Sequence, residues 1–131
     1  MAKVNTMGLE QTAGQLERLG RVGIRQIVEK GTATAMTMMR AQTMAHHKRT
    51  GALMDSITAS KLYESLNSAS QFVDFEGDHG KGITNRDLAW LLDNDPHKGD
   101  RFISSDEKAI EKAVTDAMQE ESDRLLAEIG G

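Results

Sequence analysis

The sequence contains no cysteine, a single proline and few aromatic residues. The lack of cysteine excludes disulfides, thiol chemistry and cysteine-ligated metal, and it fits a reducing compartment. No stretch approaches the roughly 18 consecutive apolar residues that a membrane-spanning helix needs, and the N-terminal residues lack the apolar segment of a signal peptide. From these absences we expect that the chain is neither exported by a signal peptide nor embedded in a membrane.

The length and the spacing of apolar residues predict one domain that begins with a long helix. A chain of 131 residues falls in the size range of a single domain. From about residue 8 to residue 47, apolar residues recur at three- and four-residue steps, the helical period. The methionines at 36, 38, 39 and 44 are expected to fill a core or an interface. Four glycines weaken a helix and indicate a kink, a break or close packing: Gly14, Gly20, Gly23 and Gly31.

The middle of the chain, residues 51–100, predicts a small antiparallel sheet with its loops. From Leu53 to Ala59 the apolar period changes to two, which is the period of a strand. Residues 70–76 alternate in the same way, with a valine between two phenylalanines. We expect these two segments to be strands packed on the N-terminal helix.

Two loops and a short apolar element follow the predicted strands. The glycine-rich residues 77–85 and the residues 93–100, which hold the only proline, are both expected to be loops. Residues 87–92 form an apolar element that is either a helical turn or a strand. Its tryptophan, Trp90, is expected to anchor in the core.

The C-terminal segment, residues 104–129, predicts an amphipathic helix. Ser104 followed by Glu107 matches the capping box that begins many helices. One apolar stripe runs along the segment at helical spacing: Ile110, Val114, Met118, Leu125 and Ile129. The predicted fold class is therefore α+β, with a long N-terminal helix, a small antiparallel sheet and a C-terminal helix.

Charge is divided unevenly along the chain. Residues 1–50 hold eight Lys and Arg against three Asp and Glu, a charge of +5. Residues 51–131 hold eight Lys and Arg against seventeen Asp and Glu, a charge of −9, so the whole chain carries −4. Such a division suggests head-to-tail contact between copies or a different partner on each face, and it equally fits two solvated helix surfaces. Lysine and arginine do not cluster with aromatic residues along the sequence, so we expect no sequence-specific nucleic-acid binding.

Residues that could carry catalysis or hold a metal ion are few and poorly spaced. His46 and His47 are adjacent, so on a helix their side chains diverge by about 100 degrees and cannot share one metal ion. Ser56 lacks the context of an activated nucleophile. A metal site would need four loop side chains to converge, and no ligand spacing supports it: Asp78, His79, Asp95 and His97.

We therefore expect no catalytic residue, no cofactor and no metal ion, and hence no enzyme. A metal-dependent enzyme that uses the loop histidines is the alternative, and it would require stoichiometric metal in the purified protein.

Two short phrases resemble a known family. The first follows the predicted N-terminal helix and consists of Thr50, Gly51, Leu53, Ser56 and Ile57. The second opens the last helix and consists of Arg101, Phe102 and Ile103. In this order they resemble the neck, or tail-component, family of lambda-like long-tailed phages. Between them, Ala89 with Leu92, Asp93 and Asn94 loosely matches a further phrase of that family. The proline that commonly precedes Thr-Gly in the family is replaced here by the basic residues 47–49, and the Gly-Thr of the further phrase is absent, with residues 94–96 in its place.

The resemblance implies a virion structural protein, a neck or head–tail connector subunit that assembles into an oligomeric ring around the DNA channel. It also implies contacts with other connector and tail proteins, passage of the genome without sequence-specific binding, and assembly in the host cytoplasm before incorporation into the virion. A tail-completion or tail-terminator subunit is the alternative within this class. From another class, the alternative is a cytosolic helical adaptor that binds a partner helix through its methionine-rich surface.

The matched residues are expected to form a structural hinge. Gly51 would let the chain turn from helix into strand without a clashing Cβ, while Leu53 and Ile57 would face the inside of the sheet. Ser56 would pair with an edge carbonyl or with the neighbouring strand. The alternative is a helix-to-strand turn that occurs by chance in an unrelated α+β domain.

Overall fold

The computed structural model describes residues 2–6, 9, 13–47, 51–65, 68–97 and 99–130. It confirms the predicted α+β fold, with a long N-terminal helix, a small antiparallel sheet and a C-terminal helix. In chain order the elements are β1 (Ala2–Asn5), α1 (Ala13–His46), α2 (Ala52–Asp55), β2 (Ile57–Ala59), β3 (Tyr63–Glu64), β4 (Ala69–Phe75), β5 (Asp78–Gly80), β6 (Ile83–Thr84), α3 (Asn85–Asn94), a 3₁₀ turn (Ser104–Asp106) and α4 (Glu107–Glu128).

Helix α1 begins later than the sequence predicts and is interrupted. Leu9 lies outside it. At Gly20 the backbone leaves the helical region, with φ 69° and ψ 179°. Gly31 marks close packing instead, because a Cβ there would lie 2.7 Å from Met118 and 2.8 Å from Val4. Two of the four glycines thus mark a break and a point of close packing, as the sequence indicated.

The main sheet is centred on β4, which the sequence predicted as residues 70–76. β1 pairs with one side of β4, and β2 and β3 pair with successive parts of the other side, all antiparallel. Thr32 of α1 donates from its hydroxyl to Gln71 Oε1 at 2.8 Å, so this face of β4 is turned toward α1. Because side chains alternate along a strand, the neighbouring Phe72 lies on the opposite face.

Helix α4 runs antiparallel beside α1 and completes the core. Gly31 of α1 lies next to Met118, and Gln42 near the other end donates to Asp106 Oδ2 at 2.9 Å. The predicted stripe is buried over its first three members, whereas Ile129 is 49% exposed. The buried core draws on both helices and the sheet: Ile24, Ile27, Val28, Met39, Val4, Ile57, Val73, Phe102, Ile110, Val114 and Met118.

The strand predicted from Leu53 to Ala59 is wrong over its first half. Residues 52–55 form the single turn of α2, and extended backbone begins only at Ile57. Leu53 and Ile57 are four residues apart, a spacing that fits both an alternating strand and one helical turn. The backbone amide of Ser56 donates to the Ala52 and Leu53 carbonyls, at 3.1 and 3.2 Å, which selects the helical turn.

The predicted loop 77–85 is also wrong, since β5 and β6 form a hairpin there. Lys81 and Gly82 both have positive φ, 56° and 77°. Positive φ at both central residues is the geometry of a tight hairpin turn, and glycine adopts it without strain. The sequence signal was thus present but concealed by the polar composition of the segment.

Residues 87–92 belong to α3, and the prediction that Trp90 anchors in the core is wrong. α3 turns Ala89 inward, at 5% exposure, whereas Trp90 on the next position is 61% exposed.

The predicted capping box at Ser104 is wrong as well. α4 begins at Glu107, and its N-cap residue Asp106 makes no side-chain cap. The hydroxyl of Ser104 instead donates to the Asp93 carboxylate, a charge-assisted hydrogen bond.

Candidate functional site

The first phrase forms the joint between α1 and the sheet. Gly51 has φ 73°, a left-handed conformation that favours glycine, and its carbonyl accepts from the Asp55 amide at 2.9 Å. Leu53 and Ile57 are buried, at 5% and 0% exposure. The predicted helix-to-strand hinge is therefore a glycine turn followed by one helical turn and then the strand. Thr50 lies outside the described residues.

The hydroxyl of Ser56 has a different partner from the one expected. It donates to the Leu53 carbonyl at 2.6 Å, within the turn of α2, rather than to the sheet. The Ser56 carbonyl accepts from the Glu76 amide at 2.9 Å, which continues the ladder between β2 and β4. Ser56 thus closes the helical turn with its side chain and begins the strand pairing with its backbone.

The second phrase forms a turn between α3 and α4. Arg101 has φ 55°, a left-handed conformation that is uncommon for a residue with a side chain. Phe102 is completely buried, and the Ile103 amide donates to Asp93 Oδ1 at 2.9 Å. The positive φ at Arg101 turns the chain so that the next side chain enters the core. This phrase is therefore a second structural turn.

The two phrases meet through Phe75. Ile57 is the cross-strand partner of Phe75 in the register between β2 and β4. The Phe75 ring contacts the Phe102 ring edge to face, with centroids 6.4 Å apart. His47 at the end of α1 packs its ring on the other part of Phe102, at 4.6 Å. The matched phrases, 50 residues apart in sequence, thus belong to one buried joint.

Asp93 holds this joint together, and sequence reasoning missed it. Its Oδ1 accepts from the Ile103 and Ser104 amides, both at 2.9 Å, and its Oδ2 accepts from the Ser104 hydroxyl. Burial acts to raise the pKa of Asp93. The bonds from Ser104 and Ile103 and the charge of Arg101 outweigh that effect, so the pKa of Asp93 lies below its ordinary value. The partners lie ten and eleven residues away, so no local pattern could reveal them.

The histidines make local contacts. His47 Nε2 lies 2.8 Å and His46 Nδ1 4.0 Å from Asp100 Oδ2, so the adjacent histidines approach one carboxylate from the end of α1. His79 Nδ1 lies 2.8 Å from Asn85 Oδ1. The His97 amide donates to Asp95 Oδ1 at 2.8 Å. Across the described ranges, no three histidine, aspartate or glutamate residues are grouped so as to hold a metal ion.

Three of the four methionines considered above belong to the core. Met39 is buried, and Met36 and Met38 pack against the core cluster. Met44 is 53% exposed. Met44 is therefore the most exposed methionine of this group, while Met36 and Met38 are half-buried.

The two helices carry opposite charge on exposed surface. Residues 17–25 of α1 include three exposed arginines and one glutamate, and we call Arg18, Arg21 and Arg25 the basic segment. On α4, positions four and three residues apart form an acidic face, Asp116, Glu120 and Asp123, all exposed. The division of charge along the sequence thus becomes a division between two helix surfaces.

The outer face of the sheet gathers two lysines and two aromatic rings, which the sequence did not predict. The Tyr63 and Phe72 rings lie edge to face, with centroids 5.9 Å apart. Lys3 Nζ lies 5.7 Å from the Phe72 ring, and Lys61 Nζ lies 5.2 Å from the Tyr63 ring. The four residues come from β1, β3, β4 and the segment before β3. Only strand pairing brings them together, so the linear sequence shows no cluster.

Comparison with known proteins finds no match: no family model, no curated protein and no solved structure is similar to this chain. Within the part of the chain that the structure describes, no helix is both long enough and apolar enough to cross a membrane.

Proposed function

We propose that this chain is a virion structural protein of phage, a neck or head–tail connector subunit that assembles into an oligomeric ring around the DNA channel and catalyses no reaction. The observation that carries the proposal is the joint at Phe75. One residue of each matched phrase, Ile57 of the first and Phe102 of the second, is buried next to Phe75 there. The phrases thus act as framework, which is the role that the resemblance implies for them.

The ring assembles through the opposite charges of the two helices. The basic segment of one copy packs against the acidic face of the next copy. Because the two surfaces differ, the contact is head to tail, and such a contact closes into a ring when the rotation between copies allows it. Attraction between complementary charged surfaces also speeds encounter and disfavours the wrong orientation.

Charge reversal tests this assembly mode directly. The double variant Arg18→Glu and Arg21→Glu leaves the pair of Arg25 with Glu64 in place. We expect it to dissociate the oligomer, and Glu120→Lys with Asp123→Lys to do the same. A mixture of the two double variants should recover assembly, measured by light scattering after size exclusion. Lys108→Glu, an exposed reversal outside both surfaces, is the matched control. Oligomers that resist both reversals would contradict this contact.

Contact with neighbouring virion components is assigned to the exposed end of α3. Trp90 and Leu91 are 61% and 42% exposed, between the β5–β6 hairpin and the turn that follows α3. Exposed tryptophan is characteristic of interface centres. Trp90→Ala should therefore leave the ring intact but reduce joining of heads to tails. Since Trp90 is the only tryptophan, its fluorescence should shift to shorter wavelength when the contact forms.

Inactivation of the reading frame in its phage or prophage tests the function itself. Electron microscopy of the lysate should show DNA-filled heads separate from finished tails. Tails of uncontrolled length would favour the tail-terminator alternative instead. Normal infectious particles would overturn the structural role altogether.

A further inference from the structure

The outer edge of β1 faces away from the rest of the sheet. The Ser60 amide donates to the Phe72 carbonyl at 2.8 Å, so the backbone groups of Phe72 point toward β2. Lys3 is the partner of Phe72 in β1. Such a pair exchanges no hydrogen bonds in an antiparallel ladder, and Lys3 therefore directs its N–H and C=O to the edge that no described strand covers.

A groove of about 510 Å³ lies between this edge and α4. It extends along the whole of β1 on one side and along α4 from Glu107 to Met118 on the other. Its apolar lining comes from β1, α1, α4 and the turn before α4: Val4, Met39, Ile110, Val114, Met118 and Ile103. Helix α4 thus overhangs a space beside the sheet edge.

The widths of the two layers explain why the space exists. Two helices packed side by side span about 16 to 20 Å, whereas three strands abreast span about 14 Å. α1 and α4 form the helical layer, and the main sheet is at most three strands wide, with β4 in the middle. The helical layer therefore exceeds the sheet by up to one strand width. The groove lies on the side of β1, where α4 extends beyond the sheet.

The rim of the groove is acidic. Glu107 and Glu111 are one helical turn apart on α4, both line the groove and both are exposed. Neither has an ion-pair partner among the described residues. Asp93 also lines the groove, but its carboxylate is occupied by Ser104 and Ile103. A basic side chain in the groove would thus complement the two glutamates.

We propose that the groove binds an extended segment of another protein chain, which adds to β1 as a strand. On the face of the segment that is turned toward α4, side chains are apolar where they meet Val114 and Met118 and basic where they meet Glu107 and Glu111, and the backbone pairs with Lys3. Strand addition of this kind gives affinity through main-chain hydrogen bonds and specificity through the alternate side chains. The inference concerns a different surface from the ring contact and does not depend on it.

The test titrates the full-length, isotope-labelled protein with a capped Val-Thr-Val-Thr-Lys-Thr-Lys peptide, in which both valines and both lysines share one face of the strand, and follows backbone amide shifts by NMR. We call it the Lys-Val peptide; the Glu-Val peptide has glutamate in place of both lysines, and the Lys-Ser peptide has serine in place of both valines. Saturable shifts are expected at Lys3 and along Glu107 to Thr115. The Glu-Val peptide should bind at least about fivefold more weakly, the effect of two exposed ion pairs. The Lys-Ser peptide, with the same charge but no apolar side chains, should not saturate. An N-methylated Lys-Val peptide, which cannot donate to β1, should lose binding.

Matched protein variants localise the effect. Glu107→Lys with Glu111→Lys should reverse the preference between the Lys-Val and Glu-Val peptides. Glu76→Lys with Asp87→Lys, two exposed carboxylates outside both the groove and the acidic face, should leave it unchanged. Equal binding of the Lys-Ser or N-methylated peptide would overturn strand addition. If the protein alone forms a dimer in which the Lys3 amide is protected from exchange with solvent, a second copy of the protein fills the groove. That result would overturn the proposal that the bound segment comes from a different protein.

Discussion

The two edges of the main sheet are closed in different ways. At the β2–β3 edge, Arg40 Nη2 donates to the Ile57 carbonyl at 3.0 Å, and Arg25 pairs with Glu64 at 2.8 Å. At the β1 edge, the described residues leave a groove open, with Glu107 and Glu111 on its rim. An uncovered strand edge invites pairing with another chain, and native proteins commonly block it. Here the arginines of α1 block one edge, and α4 overhangs the other without filling it.

The contrast follows from where each helix lies. α1 covers β4, so its long side chains reach the nearby edge and supply cations to it. α4 lies beyond β1 and is held there by contacts just before its start and near its middle. Asp93 fixes the turn before α4, and Met118 packs on Gly31 beside Val4. The width of the open groove therefore depends on buried contacts, whereas the closed edge depends on exposed ones.

The largest effect is expected from Asp93→Ala, which releases the start of α4. The buried carboxylate accepts three hydrogen bonds from Ser104 and Ile103. Removing it leaves those donors without their charged acceptor, so the free energy of unfolding should fall by about 3 kcal/mol. Urea unfolding measures this change. Asp87→Asn, an exposed carboxylate on the same helix, is the control and should change stability by less than about 0.5 kcal/mol.

The dependence of this effect on pH has a definite sign. Because the pKa of Asp93 is lowered by folding, its ionised form stabilises the native state. That contribution is fully present above about pH 4 and is lost as the pH falls through the lowered pKa. The stability difference between the protein and Asp93→Asn should therefore shrink below pH 4. A difference that stays constant down to pH 3 would show that the negative charge is not its source.

A smaller effect is expected at the closed edge from Arg40→Met. The substitution keeps the apolar stem but removes the donor to the Ile57 carbonyl. Unfolding should become easier by about 1 kcal/mol, and the β2 amides should exchange faster with solvent while the β1 amides do not. Arg18→Met serves as the control, since Arg18 is an exposed arginine of α1 far along the helix from β2. Equal acceleration at both edges would mean that Arg40 stabilises the whole fold rather than one edge.

The sequence could predict the elements whose period is unambiguous. α4 and β4 each show one clear period over many residues, and both predictions are confirmed. At Leu53 and Ile57 the four-residue spacing satisfies helix and strand alike, so the choice depended on the hydrogen bonds of the turn. Trp90 was misplaced because the short apolar element did not show which face of α3 would meet the sheet.

The candidate surfaces were harder to predict than the fold. Gly51 carries a local signal, a glycine between a predicted helix and a predicted strand, and it adopts the left-handed turn, whereas no pattern in the sequence indicated that Phe102 would be completely buried. Asp93 acts on residues ten or more positions away, and the groove requires β1 and α4, from opposite ends of the chain. Contacts set by tertiary packing leave no periodic trace in a single sequence.

The smallest effect is expected from Glu64→Gln at the exposed part of the closed edge. The hydrogen bond from Arg25 lowers the pKa of Glu64, so the pair stabilises the fold above about pH 4.5 and this contribution is lost as the pH falls through the lowered pKa. Thermal unfolding at low salt should show a small loss for Glu64→Gln at pH 7 and none at pH 3. Because solvent ions screen an exposed pair, the loss should also vanish in about 1 M salt. Glu76→Gln, an exposed glutamate just after β4, is the control. A loss of stability that persisted in high salt would mean that Arg25 and Glu64 close the edge by packing rather than by charge. The contrast between the two edges would then depend on the shape of α1 instead of on its arginines.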